Sequence, residues 1–317
     1  MKVTKRLSFL TPLAVALALV STVTLFVFLQ PLLGFIQNDD FKISTDVDLV
    51  LLDVSVKNAK GGYVVDLSKD DFKIEENGVR QKIVSFTSMD VPVAAGLILD
   101  ASGSMQVKRP GVNLAGLAFV DASNPRDQIF VLDFNDKVLP GLPEGVTFTD
   151  DIGLLRTALS RHRIEGRTVL YDAITDGLKY LESAQRDKKT LVVVSDGGDN
   201  ASSHNLAQLM QAIEASHATV YTVGIYDADD PDNNPGVLRH IANISGGECF
   251  LLQNYADIVP TSRKIADDIR KRYTIGYIPS AESGRGGTRR IKVTATSPDH
   301  GHLIAHTRTS YINPGLQ

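Results

Sequence analysis

The stretch GLILDASGSM, residues 96–105, joins an apolar run to a polar loop. A compact run of this kind is typical of a strand that is buried on both faces of a parallel sheet. Asp100 ends the strand, and Ser102 and Ser104 follow at alternate positions. Because ligands bind at the carboxyl ends of the strands in an open parallel α/β sheet, the stretch predicts a functional loop at that edge.

Residues 91–272 repeat this alternation of strand, loop and helix. The apolar runs AAGLILD, QIFVLDF, TLVVVSD and TVYTVGI are predicted strands. Three apolar stripes predict helices, the second with Ser202 or Ser203 as its N-cap: Leu170, Ile174, Leu178 and Leu181; Leu206, Leu209, Met210 and Ile213; Ile258, Ile265 and Ile269. The pattern predicts an α/β fold with a doubly wound, mostly parallel sheet.

The segments on both sides of this block, residues 41–90 and 273–317, have a different pattern. Asn77-Gly78 stands between the alternating pieces FKIEE and QKIVSF, which predicts a hairpin. After Arg272, the runs RYTIGYIP, RRIKVTATS and HLIAHTRTSYI are also β-like. We expect the two flanking segments to pack together as one small antiparallel β subdomain.

Composition narrows the functional classes. The 317 residues include 33 Lys and Arg against 37 Asp and Glu, a net charge of -4, which argues against a nucleic-acid-binding protein. Cys249 is the only cysteine, so an intramolecular disulfide and a thiolate metal cage are excluded. Its apolar neighbours predict that Cys249 is a small buried hydrophobic residue.

Residues 1–40 have the character of a membrane segment. Lys2, Lys5 and Arg6 precede a stretch from Leu7 to Ile36 without a charged residue. The stretch is long enough to span a bilayer as a helix, which favours an uncleaved signal anchor over a cleaved signal peptide with secretion. With the basic end in the cytoplasm, the chain is predicted to cross the inner membrane once, with its bulk periplasmic or extracellular.

Two further polar positions belong with the first loop. Asp196 ends the run LVVVSD, and Thr168 lies in the loop of EGRTVLYDAI before a predicted helix. Two aspartates and three hydroxyls are the oxygen ligands that Mg²⁺, Mn²⁺ or Ca²⁺ prefer. Because hydroxyls are neutral, such an ion stays electrophilic and takes an acidic group from a partner as its final ligand.

These motifs resemble the metal-ion-dependent adhesion site (MIDAS) of von Willebrand factor type A (VWA) domains. Asp100, Ser102 and Ser104 match D-x-S-x-S, Thr168 matches the second-loop threonine, and Asp196 matches the fourth-loop aspartate. The segment IANISGGECF also resembles the small-Gly-Gly sequence that precedes a late strand in this family. The β flanks and the N-terminal anchor resemble a bacterial, Acidobacteria-type group of proteins with a VWA-related domain. The resemblance implies that the hydroxyls bind the ion directly or nearly so, and the aspartates largely through water.

Other polar clusters have simpler interpretations. Asp and Ser after strands also form turns and helix caps. The acidic loop with Asp227, Asp229, Asp230 and Asp232 lacks EF-hand spacing, so a solvated loop is favoured over a second calcium site. A solvated loop and helix end is likewise favoured over the attraction of an acidic ligand for four basic residues, Arg161, His162, Arg163 and Arg167. Neither a G-x-S-x-G elbow nor a phosphate-binding P-loop is present, so no enzyme is predicted.

The sequence therefore predicts a membrane-anchored extracytoplasmic binding protein. Its VWA-like domain would recognise the Asp or Glu carboxylate of a protein ligand through a bound divalent ion. The alternative is a scaffold in an envelope assembly whose β flanks bind without metal, and a hydrolase is a distant third. The identity of the partner, the preferred ion and the oligomeric state stay open.

Overall fold

A computed structural model describes five ranges of the chain: 49–88, 90–161, 164–226, 233–280 and 287–313. The predicted anchor, the acidic loop from Asp227 to Asp232, and the pair His162 and Arg163 lie outside the described residues. All described residues belong to one compact unit, Val47–Gln317. Within the described ranges, no helix is both long enough and apolar enough to cross a membrane.

The described residues form strands and helices that follow the predicted alternation. The strands are β1 (Val50–Asn58), β2 (Phe72–Glu76), β3 (Val79–Gln81), β4 (Ile83–Thr87), β5 (Ala94–Asp100), β6 (Gln128–Phe134), β7 (Val138–Pro140), β8 (Lys189–Ser195), β9 (Thr219–Ile225), β10 (Cys249–Leu252), β11 (Tyr273–Tyr277), β12 (Gly287–Ala295), β13 (Leu303–His306) and β14 (Ser310–Asn313). The α-helices are α1 (Arg109–Ala122), α2 (Ile152–Ala158), α3 (Leu170–Glu182), α4 (Leu206–Ala215), α5 (Pro235–Ser245) and α6 (Ile258–Arg270).

The central sheet has the strand order β10-β9-β8-β5-β6-β7 and is parallel except for the antiparallel edge strand β7. Every residue of β5 is buried, which requires cover on both faces of the sheet. Helices α1, α2 and α6 pack together as one group, and α3, α4 and α5 form another. The doubly wound, mostly parallel α/β fold is therefore confirmed.

The flanking segments form a β subdomain of two antiparallel sheets, ordered β13-β1-β11-β4 and β14-β12-β2-β3. Strand β1 pairs with β11, and β2 pairs with β12, so segments from both ends of the described chain share each sheet. Leu52, Ile74 and Ile275 are fully buried in a core common to both sheets. This arrangement confirms the predicted β subdomain.

The alternating sequence pattern located the hairpin turn, but it did not show where two of the predicted strands are interrupted. Asn77 and Gly78 have positive φ angles of 50° and 84°, and Glu76 pairs with Val79 across the turn, as predicted. The run QKIVSF, however, is divided between β3 and β4, and HLIAHTRTSYI between β13 and β14. In each run, the two strands belong to different sheets of the β subdomain. The alternation of apolar and polar residues continues across the point where the chain passes from one sheet to the other.

Two local expectations were wrong. Helix α4 is capped by Asn205, whose side chain accepts a hydrogen bond from Gln208 N at 3.0 Å, and neither Ser202 nor Ser203 is the cap. The Gln208 side chain returns a bond to Asn205 N, which completes a capping box. Cys249 is only half-buried, because β10 is an edge strand of the sheet.

Arg272 joins the β subdomain to the α/β domain. It lies just after α6 and forms a buried ion pair with Asp268, in which Nη2 and Oδ2 are 3.0 Å apart. Its guanidinium also donates to the backbone oxygen of Asp53 in β1 at 3.2 Å and to that of Gly246 at 2.7 Å. One side chain therefore links α6, the end of α5 and the first strand of the β subdomain.

Backbone conformation and close packing require glycine at both positions after α5, Gly246 and Gly247. Gly246 ends the helix with a left-handed φ of 80°, a conformation that residues with a Cβ rarely adopt. A Cβ on Gly247 would lie 2.0 Å from the backbone oxygen of Val220. The pair thus lets the chain turn sharply and enter β10 close against β9.

Candidate metal centre

Two adjacent parallel strands bring the predicted aspartates to one edge of the sheet. Asp100 is the last residue of β5, and Asp196 directly follows β8. Leu99 pairs with Val194 across these strands, so Asp100 lies level with Ser195, and Asp196 lies one residue further at the same edge of the sheet. This position matches the carboxyl-end crevice that binds ligands in open α/β sheets.

Four of the five predicted residues are connected by close polar contacts. Asp100 Oδ1 accepts hydrogen bonds from the Ser102 hydroxyl at 2.6 Å and from the Ser102 backbone N–H at 2.9 Å. The Ser102 and Ser104 hydroxyl oxygens are 3.2 Å apart. The Ser104 hydroxyl donates to Asp196 Oδ2 at 3.0 Å. The structure therefore places Asp100, Ser102, Ser104 and Asp196 in one continuous polar chain.

Thr168, the fifth predicted residue, faces the same space. It lines a cavity of about 380 Å³ together with Ser104 and Asp196. Its backbone N–H donates to Asn200 Oδ1 at 2.9 Å, and its carbonyl accepts from Asn200 N at 3.1 Å. Its hydroxyl makes no hydrogen bond to any described residue, so its oxygen is available to a ligand.

The carboxylates are deeply buried, and burial opposes their negative charge. Asp100 is 0% and Asp196 1% exposed. Burial, followed by the charge of Asp196, raises the pKa of Asp100 from its usual 3.8 to about 6, although bonds from Ser102 and Ser195 act in the opposite direction. A cation placed among these oxygens would offset both causes of the raised pKa.

One cation of the chain already lies at this edge. The Lys108 ammonium is 3.1 Å from Asp196 Oδ2, and both side chains are buried. The next residue, Arg109, forms an ion pair with Asp133 at 2.9 Å. Its only hydrogen bond to Asp100 is one that the guanidinium donates to the Asp100 backbone oxygen at 3.4 Å. Among the described residues, Asp100 itself forms no ion pair.

A second set of contacts fixes the loop that carries Thr168 against the loop that follows Asp196. Asp172, in the first turn of α3, accepts bonds from the backbone N–H groups of Ser203 at 2.8 Å and His204 at 2.9 Å. In return, the Tyr171 N–H donates to Asp199 Oδ1 at 3.2 Å. These bonds hold the Thr168 hydroxyl on the cavity wall.

Gly197 shapes the turn after Asp196. Its φ is 87°, and a Cβ there would lie 2.4 Å from the backbone oxygen of Asn234. The Asn234 N–H donates to the Asp196 carbonyl at 3.0 Å. Any side chain at position 197 would therefore displace the loop that holds the second carboxylate.

The donor set fits a hard divalent cation. Two carboxylates and three hydroxyls supply the oxygen ligands that such ions prefer, with few direct negative charges. Within the described ranges, no group of three or more His, Cys, Asp and Glu residues is arranged to hold a metal. An ion here would therefore depend on hydroxyl oxygens, as the sequence predicts.

Three residues of the centre were missed in the sequence. Ser195 donates to Asp100 Oδ2 at 2.6 Å, Lys108 pairs with Asp196, and Asn200 fixes the backbone of Thr168. A serine that ends an apolar strand was the available signal for Ser195. Lys108 lies four residues after Ser104, and Asn200 lies four residues after Asp196. Outside a regular helix, a spacing of four residues does not predict that two side chains are close together.

The two described basic residues upstream of Thr168 are held by other parts of the chain. Arg167 lines the cavity, and its Nε donates to Asp136 Oδ1 at 3.2 Å with its side chain 70% exposed. Arg161 donates to the backbone oxygen of Gly141 at 3.4 Å. Arg167 therefore lies at the rim of the cavity with its charge paired to Asp136.

The family model of the von Willebrand factor type A domain matches residues 96–264. The match covers more than half of the 317 residues and includes all five predicted site residues. The chain belongs to the von Willebrand factor type A domain family. VWA domains are generally interaction modules rather than enzymes.

The chain is similar to several solved structures at low sequence identity. A von Willebrand factor type A protein from Catenulispora acidiphila is 16% identical with a TM-score of 0.52, over 76% of this chain and 72% of that chain. The vWF domain of the type V pili tip protein Mfa5 from Porphyromonas gingivalis is 13% identical with a TM-score of 0.45, over 57% and 95%. Proximal thread matrix protein 1 from the mussel byssus, with a zinc-occupied MIDAS motif, is 16% identical with a TM-score of 0.47, over 57% and 48%. No curated protein matches the chain.

Proposed function

We propose that this VWA protein is a membrane-anchored extracytoplasmic binding protein that recognises an acidic protein partner through a divalent ion. The observation that carries the proposal is the polar chain from the buried Asp100 through Ser102 and the exposed Ser104 to the buried Asp196, next to a cavity that Thr168 also lines. Anchoring and location are proposed from the sequence of residues 1–40.

The chain's own oxygens would hold the ion. The hydroxyls of Ser102, Ser104 and Thr168 are proposed as direct or nearly direct ligands, with Asp100 and Asp196 acting largely through water. Ser195 and Ser102 hold both oxygens of the Asp100 carboxylate in place. A bound Mg²⁺, Mn²⁺ or Ca²⁺ would supply a Lewis-acidic position that accepts a further oxygen ligand.

The partner's chemistry follows from the charge and the shape of the centre. Neutral hydroxyls leave most of the ion's charge uncompensated, which favours an Asp or Glu carboxylate as the last ligand. The cavity of about 380 Å³ is wide enough for a side chain from another protein. The bound ion, rather than Arg167, would supply the positive charge that attracts an acidic segment, because Arg167 at the rim is paired with Asp136.

Calorimetric titration of the full-length chain with Mg²⁺, Mn²⁺ and Ca²⁺ tests the proposal. We expect saturable binding that Asp100→Ala abolishes and that Thr168→Val weakens at least about tenfold, since loss of an outer partner alone commonly has that effect. Thr168→Val is the cleaner variant, because its hydroxyl bonds no described residue. Asp121→Ala, at an exposed ion pair, serves as the matched control and should bind like the wild type.

Partner binding separates this function from the scaffold alternative. The metal-bridging function predicts that a partner captured in Mg²⁺ is released by chelator and lost in both site variants. A scaffold that binds through the β subdomain would keep its partner in chelator and in Thr168→Val. That second outcome would contradict the proposed function.

A further inference from the structure

A second cavity lies at the opposite end of the central sheet from the candidate metal centre. This seam cavity, of about 400 Å³, is lined by both parts of the protein, among them Leu51, Asp53, Lys188, His217, Thr307 and Arg308. Lys188 precedes β8 and Asp196 follows it. The length of that strand, about 25 Å at the usual rise per residue, separates the seam cavity from the metal centre.

Lys188 is a buried cation that forms no ion pair with the described residues. It is 5% exposed, and its ammonium donates to the backbone oxygen of Arg272 at 3.1 Å. An ammonium group has three N–H donors, so this bond uses only part of its capacity. Burial lowers the pKa of Lys188, and the charge of Asp53 only partly opposes this effect.

Arg308 is a second buried cation in the wall of the seam cavity. It is 7% exposed, and it donates to the backbone oxygens of Ser310 at 2.9 Å and Glu214 at 2.7 Å. It also forms no ion pair within the described residues. Burial lowers its pKa to about 10 despite the nearby charge of Glu214. Carbonyl oxygens thus orient the guanidinium without neutralising it.

The other charged residues of the wall balance one another and leave the positive charge of Lys188 and Arg308 uncompensated. Four cations, Arg186, Lys188, Lys189 and Arg308, face two carboxylates, Asp53 and Asp187. Asp53 already accepts a bond from the Thr274 hydroxyl at 2.8 Å. Thr307 Oγ1 and Arg186 Nε are buried and have no hydrogen-bond partner among the described residues. An unpaired buried cation is costly, so an anion in this cavity would relieve that cost.

We propose that the seam cavity binds a small oxyanion, a phosphate or carboxylate group, through Lys188 and Arg308. Guanidinium and ammonium groups both form charge-assisted hydrogen bonds to such oxygens. The volume exceeds what a bare anion fills and lies in the range of small-molecule sites. Leu51, Val91 and Ala218 form an apolar part of the wall, so an organic acid or organic phosphate fits better than the free ion.

Titration of the full-length chain with inorganic phosphate, without divalent ions and at constant ionic strength in chloride, tests this site. We expect saturable heat in the wild type and tighter binding of hexyl phosphate, whose chain would contact the apolar wall. Lys188→Met and Arg308→Gln should each weaken phosphate binding about tenfold, the typical effect of one charge-assisted hydrogen bond. Lys60→Met, at an exposed turn, should bind phosphate like the wild type.

Lys188→Met removes a buried unpaired charge and should not destabilise the chain. A loss of phosphate binding in this variant can therefore be attributed to the site rather than to unfolding. Thr168→Val should retain phosphate binding, which separates this site from the metal centre. Absence of saturable phosphate binding in the wild type would overturn the proposal. Unchanged affinity in both Lys188→Met and Arg308→Gln would overturn it as well.

Discussion

Asp100 and Asp268 are buried aspartates of the same domain, 0% and 1% exposed, but their pKa values shift in opposite directions. At Asp100, burial and the charge of Asp196 raise the pKa to about 6. At Asp268, burial acts in the same direction, but Arg272 and a hydrogen bond from Tyr221 outweigh it and lower the pKa. The difference lies in whether the protein supplies a partner of opposite charge.

The comparison separates a carboxylate that stabilises the fold from one that is suited to bind. Asp268 Oδ2 accepts bonds from Arg272 Nε at 3.1 Å and from the Tyr221 hydroxyl, so its charge is compensated inside the protein. Among the described residues, the Asp100 carboxylate accepts bonds only from serine hydroxyls and one backbone N–H. An external cation would therefore bring a greater gain at Asp100 than at Asp268.

Removing the cation from the compensated site should have the largest effect. Arg272→Met leaves the Asp268 carboxylate buried without its ion-pair partner and removes the link to Asp53 in β1. We expect a loss of about 3–5 kcal/mol in the free energy of unfolding, measured by urea denaturation. Asp268→Leu combined with Arg272→Met should recover much of this loss. A loss below about 1 kcal/mol in the single variant would show that the pair is not an essential link.

The raised pKa of Asp100 predicts a pH dependence of the opposite sign to that of Asp268. In protein kept free of metal by chelator, the folded state binds more protons than the unfolded state between the usual pKa of 3.8 and about 6. The free energy of unfolding of the metal-free protein should therefore fall by about 3 kcal/mol as the pH rises through this window and Asp100 loses its proton. Asp268 contributes stability above its usual pKa that is lost as the pH falls.

Urea denaturation of metal-free wild type and Asp100→Asn at a series of pH values measures this loss. The neutral variant lacks the charge, so its advantage over the wild type should grow from pH 4 to pH 6. Saturating Mg²⁺ should reduce the difference by stabilising the wild type alone. A difference that stays constant over this range would contradict the raised pKa.

Hydrophobic patterning predicted much of this fold because buried strands and helices leave strong local signals. The stripes located α3, α4 and α6, and the Asn77-Gly78 turn located the hairpin. The same patterning did not reveal where the chain passes between the two sheets of the β subdomain, near Lys82 and Thr307. A crossing depends on which strands pair, and pairing joins residues that are distant in the sequence.

The candidate metal centre was predictable to the extent that its residues lie at the ends of strands. Asp100 and Asp196 follow apolar runs, so their place at one edge follows from the parallel sheet. Lys108 was missed because its contact with Asp196 spans 88 positions and depends on how the first loop folds. Whether the five predicted residues bind an ion stays a prediction that metal titration tests.

Lys108 gives a test of intermediate size, because its ammonium competes with an ion for Asp196 Oδ2. Lys108→Met removes a like charge from the vicinity of the proposed ion and frees a carboxylate oxygen. We expect Mg²⁺ affinity, measured by calorimetry, to rise about tenfold, a conservative value for buried charges a few ångströms apart. Lys179→Met, at an exposed ion pair on α3, is the matched control. A fall in affinity would show instead that Lys108 positions Asp196 for binding.

The smallest effect is expected where an aspartate has a partner but is not buried. Arg156 and Asp121 form an ion pair of 3.0 Å, with side chains 57% and 52% exposed. Water solvates both charges, so Arg156→Ala should change the free energy of unfolding by less than about 1 kcal/mol. Urea denaturation beside Arg272→Met measures the contrast directly. Equal losses in the two variants would mean that pairing alone, rather than pairing in a buried place, accounts for the role of Arg272.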